Sequence, residues 1–146
     1  PKLVAKHFQD KGIKRVVAEL NNTLSFQCAI MLAGDGVFFI NINKKIRDQL
    51  KLKEGSAIQV SLSEDKSEYG LPFPEEFKEL LNQDAEGNKL FHALTPGKQR
   101  NLIYAVSQVK NSDLKIHRGL VILEHLKMNK GKINFRELYK EIHQKD

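Results

Sequence analysis

The apolar residues of this chain change period once, and that change constrains the fold more than any motif. Leu24, Phe26, Cys28, Ile30 and Leu32 alternate with Ser25, Gln27, Ala29, Met31 and Ala33, a period of two that predicts a half-buried strand. Beyond Pro72 and Pro74 the spacing turns helical, with Leu102, Val106 and Val109 at i, i+4 and i+7. The fold class predicted is α+β: a small β-rich unit over residues 1–65, then a helical bundle over 66–146.

The β-rich part is punctuated by turn residues. Ile13 to Leu20 puts Lys14, Val16, Ala18 and Leu20 on one face, and Asn21-Asn22 suits a hairpin to the next strand. Gly34-Asp35-Gly36 suits another, leading to a strand over 37–42. A fourth strand is predicted over 57–63, with Ile58, Val60 and Leu62 facing in. Between them Asn43 is placed to cap a short helix with Ile46 and Leu50 on one face and Gly55 just beyond. A shift of 42 positions lays Val4, Phe8, Val16, Ala18 and Leu20 on Ile46, Leu50, Ile58, Val60 and Leu62, a helix-turn-strand repeat in which Gly12 and Gly55 align after a one-residue slip. The second copy follows a strand, so a strand is expected upstream of Pro1, with the sheet edge there open or recruiting a neighbouring chain as a homo-oligomer.

In the second half, Pro74-Glu75-Glu76 starts a helix buried through Phe77, Leu80 and Leu81. Leu90, Phe91 and Leu94 form the next stripe, a long helix runs from Ser112 to about Met128, and Asn134 with Glu137 starts the last, buried through Phe135, Leu138 and Ile142.

A net charge of +6 leaves an acidic partner open. Residues 64–86 hold eight acidic and two basic side chains, whereas residues 96–136 hold nine basic and two acidic. These runs either neutralise each other within the fold or leave a basic surface. One cysteine excludes an internal disulfide, and no apolar run approaches the roughly 20 residues of a membrane span. The expected compartment is the cytoplasm, with no membrane partner.

Tests for chemistry are negative. Gly97-Lys98 is followed by Gln99, and His92 occupies the first glycine position, so the phosphate loop of nucleotide-binding proteins is not formed. His7, His92, His117, His125 and His143 make no i, i+4 pair, and Cys28 lies alone on an apolar face. Glu75 and Glu76 are explained by the helix dipole. No catalytic residue, metal site or cofactor is predicted.

One helix start is unusual. In ALTPGKQRNLIY, Thr95 serves as N-cap and Pro96 as first helical residue, but Lys98 takes the position that a capping box gives to Glu or Gln, and Arg100 follows. Two cations at the positive end of a helix dipole cost about 0.3 to 1 kcal/mol each. Either the segment Asp84 to Glu86 balances them, or an anionic ligand does.

LFHALTPGKQRNLIY followed by VSQVKNSDLKIHRGLVILEHL resembles the bacteriocin-protection family of YdeI- or OmpD-associated proteins, in which a Leu-x-Pro-Gly-x-x-Arg element and a Lys-Thr-x-x-Thr-Arg-x-x-Arg element each lead into a helix. Leu94, Pro96, Gly97 and Arg100 match the first, and Lys110 and Arg118 match the ends of the second; the inner Thr-Arg pair is Leu114-Lys115 here. INKKIRDQLKLKEGSAIQVSLSED resembles the end of a small β-barrel domain of unknown function that precedes it. The resemblance implies a partly open double-split β-barrel like those of AbrB- and MazE-like proteins, then the helical domain, and a family-level link to bacteriocin or stress tolerance without a reaction. The leading expectation is a non-enzymatic binding protein whose Lys98, Arg100, Lys110, Lys115 and Arg118 meet an anionic ligand or protein. Nucleic-acid binding through the barrel or the basic helices, and an enzyme with an unrecognised site, are the alternatives.

Overall fold

The chain divides into two compact units, Pro1–Leu71 and Pro72–Asp146. The computed structural model describes residues 1–144, so the last two positions of the predicted helical segment lie outside the described residues.

In the first unit α1 (Lys2–Asp10) leads into β1 (Arg15–Leu20), which pairs antiparallel with β2 (Leu24–Ala29) on one side and with β5 (Val60–Glu64) on the other. As the alternation predicts, Val16, Ala18 and Leu20 are fully buried. Asn21 and Asn22 both adopt left-handed backbone, with φ of 51° and 53°, and the Thr23 amide closes the turn on the Leu20 carbonyl at 3.0 Å. Asparagine tolerates that conformation better than most residues. The Asn21 side chain also accepts the Gln59 amide at 2.9 Å, so this turn fixes where β5 begins.

Several strand boundaries differ from the periodicity. The run over 24–32 leaves the sheet after the Ile30 amide has met the Lys14 carbonyl at 3.0 Å, one position beyond the last pair of the β1–β2 ladder and in register with it. Met31–Leu32, as β3, pairs instead with β4 (Phe38–Phe39) in a separate two-stranded ribbon. The strand predicted over 37–42 therefore shrinks to two residues. The strand predicted over 57–63 starts only at Val60, because β1 ends opposite it at Leu20. Val60 is exposed and Leu62 half-buried, as befits an edge strand, so the predicted inward face is only partly formed. Among the described residues the strands make an open sheet and a ribbon, with no closed barrel. Phe8, Val16, Ala18 and Cys28 form the core, with Phe26, Ile40 and Leu62 packed against it. Burial pushes the Cys28 thiol up, which marks it as an inert core residue.

The helix-turn-strand repeat is present with a different alignment. After α1, Gly12 is left-handed and the Ile13 amide reaches back to the Phe8 carbonyl at 2.9 Å. After α2 (Lys44–Gln49), capped by Asn43 through the Ile46 amide at 2.9 Å, Lys51 is left-handed and the Leu52 amide reaches back to Arg47 at 2.8 Å. Both are Schellman ends. Lys51, and not Gly55, is the counterpart of Gly12. Ala5 joins Phe8 in facing the core of α1, while Val4, which the repeat places inside, is exposed.

The second unit holds α3 (Glu75–Gln83), α4 (Ala85–His92), α5 (Pro96–Ser107), α6 (Ser112–Met128) and α7 (Phe135–His143). Helix α6 packs against all four others. Phe77 and Phe91 meet edge to face at 5.4 Å between ring centres, an arrangement aromatic quadrupoles favour, and Phe73 stacks on Phe77 at 5.6 Å. Gly119 is required by the approach of α3: a Cβ there would lie 2.5 Å from Leu80 Cδ1 and 3.2 Å from Phe77 Cδ2. Helix α7 is stapled to α6 through buried His125, whose Nδ1 lies 2.9 Å from Glu141 Oε2 and whose Nε2 accepts the Asn134 amide at 3.3 Å. That pattern places the neutral ring's proton on Nδ1. Helix α6 ends in a third Schellman turn, with left-handed Lys130 and the Gly131 amide on the Leu126 carbonyl at 2.8 Å.

Lys51 and Lys130 sit in a backbone region that costs an L-residue about 1 kcal/mol or more. Lys51→Gly and Lys130→Gly are each expected to raise unfolding free energy in urea by about 0.5 to 1 kcal/mol. A loss of stability would show that the lysine side chains compensate for the backbone.

Candidate functional site

The unusual helix start lies at the corner between α4 and α5. Pro96 takes the first helical position, and the Thr95 hydroxyl accepts the Lys98 amide at 3.5 Å, long for a cap. A firmer lock comes from Gln99. Its Nε2 lies 3.3 Å from the carbonyls of Phe91 and His92 and 3.2 Å from that of Leu94, carbonyls that cluster where α4 ends. The periodicity gives no hint of this residue; the only available signal is an amide side chain one turn inside a helix that follows a short loop.

Nothing lies within 4 Å of where a Cβ on Gly97 would be, so this corner is open. Lys98 is exposed and Arg100 half-buried, and neither joins an ion pair among the described residues. Asp84, one of the two carboxylates of the segment Asp84 to Glu86, is committed elsewhere. Asp84 Oδ1 caps α4 through the Gly87 amide at 2.8 Å, and Oδ2 takes Lys127 Nζ at 2.7 Å. The Lys127 hydrogen bond and the Gly87 amide hold the Asp84 carboxyl below the usual carboxylate range. Asp84 thus does not balance Lys98 and Arg100.

The other three predicted cations lie at the opposite end of α5, whose 12 residues span about 18 Å. Lys110 is exposed in the connection to α6. Lys115 Nζ sits 3.5 Å from Glu76 Oε1, which also accepts the Ser112 hydroxyl at 3.0 Å. Arg118 is 7% exposed and donates from Nη1 to the Ala105 carbonyl at 3.0 Å, in the last turn of α5. It is therefore an interior residue satisfying a helix end and is not part of a basic surface. Periodicity assigns it to the surface because a charged side chain is seldom buried without a carbonyl or carboxylate to meet it. Asn111, at the family's Thr position, caps α6 through the Leu114 amide at 3.1 Å.

The acidic and basic runs thus meet at Glu76–Lys115 and Asp84–Lys127 and leave Lys98 and Arg100 outside both pairs. Among the described residues no three His, Cys, Asp or Glu side chains gather to hold a metal ion. No helix among them is long and apolar enough to cross a membrane.

Because the folded-state pKa of Asp84 is depressed, its contribution is present above the ordinary carboxylate pKa and is lost as pH falls through the folded value. Asp84→Asn keeps a capping oxygen but loses the pair with Lys127. It should cost roughly 0.5 kcal/mol at pH 6, the size of a solvent-screened pair, and nothing near pH 2. Urea unfolding of both proteins across that range checks this; a cost independent of pH would mean that the cap alone matters.

Comparison with known proteins agrees with this organisation. Residues 71–129 match the family described as Bacteriocin-protection, YdeI or OmpD-Associated. Residues 1–62 match DUF1905, a domain of unknown function. No curated protein and no solved structure matches the chain. Helix α7 lies beyond both matched segments. The chain therefore carries a DUF1905 domain followed by a bacteriocin-protection, YdeI or OmpD-associated domain.

Proposed function

We propose that this protein is a non-enzymatic cytoplasmic binding protein, tied to bacteriocin protection through its family, and that its helical unit engages an anionic ligand or protein partner at the start of α5. One observation carries the reading: Lys98 and Arg100 stand at the positive end of the α5 dipole and join no ion pair among the described residues, while Asp84 is held by Lys127 and the Gly87 amide. Cations at that end are unfavourable unless an anion joins them, and an anion there gains from the dipole, the Gly97 amide and the charge of the two side chains at that helix end. Arg100 adds a planar fork suited to carboxylate or phosphate. Lys110, at the far end of α5, contributes to long-range attraction rather than to the same contact.

The test is a titration followed by amide NMR shifts, with pyrophosphate and a poly-glutamate peptide as probes at low salt. The amides of Gly97 and Lys98 should move, affinity should fall about tenfold or more in Lys98→Ala/Arg100→Ala, and Lys110→Ala should change it by less than about threefold. Unchanged affinity in the double variant would refute the reading. Tighter binding of a DNA or RNA duplex than of either probe would replace it with a nucleic-acid function.

A further inference from the structure

Helices α6 and α7 enclose a groove of about 490 Å³, within the range of small-molecule sites. Its floor is apolar: Leu120 and Val121 lie at the middle of α6, and Met128, 76% exposed, stands at the C-terminal end of that helix. Such a methionine adapts its shape to varied apolar ligands. The two carboxylates that line it, beside the amides of Asn129 and Gln144 and two histidines, are both acidic acceptors. Glu124 comes from α6 and Glu141 from α7; the Oε2 of Glu141 meets His125, and its side chain is still 46% exposed. His117 also lines the groove, and its buried Nε2 has no hydrogen-bond partner among the described residues.

Among the described residues no lysine or arginine lines this groove, although the chain carries a net charge of +6. A carboxylate from each helix and an apolar floor complement a cation that bears an apolar body. A bare metal ion does not suit them, because these side chains do not gather to metal-binding distance. We propose that the α6–α7 groove binds a small organic cation of the alkylammonium or arylalkylammonium class, with the ammonium between Glu124 and Glu141 and the carbon chain over Leu120, Val121 and Met128. This site is separate from the one at the start of α5, and neither reading depends on the other.

The probe is hexylammonium, with 1-hexanol as its neutral counterpart and hexanoate as its anionic one, titrated into the whole chain and followed by amide and His117 ring shifts. Hexylammonium should move signals of α6 and α7 around the groove and bind about tenfold or more tightly than hexanol, with hexanoate weakest. Glu124 is exposed, so E124Q should keep the fold and weaken hexylammonium about tenfold, while Leu120→Ser weakens hexylammonium and hexanol alike. Lys98→Ala/Arg100→Ala should leave this binding unchanged. Equal binding of hexanol and hexylammonium, no effect of E124Q, or no shifts around the groove would overturn the proposal.

Discussion

The helical unit depends on burying α6 against four neighbours at once. Helix α6 must be apolar on the face that its neighbours cover, and Ile122, Leu123 and Leu126 supply that face. It also needs room, which Gly119 gives where α3 crosses. Its buried polar side chains, Arg118 and His125, must find partners, since an unmet polar group inside costs more than a met one returns. Arg118 finds the end of α5 through the Ala105 carbonyl, and His125 finds α7 through Glu141 and the Asn134 amide. The same two residues that would destabilise an apolar core thus tie three helices together.

Charge follows from that packing. With α3, α4 and α5 arranged around α6, Glu76 is brought to Lys115 and Asp84 to Lys127. Both carboxylates sit in the first turn or cap of their helices, where the dipole already favours them. The result is local neutralisation of the long acidic run, with Lys98 and Arg100 left over at a helix end that disfavours cations. The motif elements shared with the family are, in this chain, helix starts: Thr95 and Pro96 open α5, and Asn111 opens α6.

Much of this was legible in the sequence where a local rule decides. The Asn21-Asn22 turn, the caps at Asn43 and Asn134 and the buried face of β1 each follow from a few neighbouring residues. What was hidden depends on distant partners. The periodic run over 24–32 divides because Met31 and Leu32 pair with Phe39 and Phe38, and Val60 starts a strand because β1 has ended opposite it. Gly55 looked like the partner of Gly12 because glycine favours left-handed backbone, yet Lys51 holds the equivalent place. The candidate site was half legible. Lys98 and Arg100 could be found from the helix dipole, but the burial of Arg118, the pairing of Lys115 and the three-carbonyl clamp of Gln99 arise only when α3, α4 and α6 surround α5's ends.

The central claim is that the charges of Lys98 and Arg100 have no internal counterpart. Urea unfolding of the Lys98→Gln/Arg100→Gln protein at low ionic strength tests it most directly. The account predicts stability unchanged or raised by up to about 1 kcal/mol, with any gain shrinking as salt screens the dipole. A loss of about 1 kcal/mol or more would contradict it, because it would place the balancing carboxylate inside the protein.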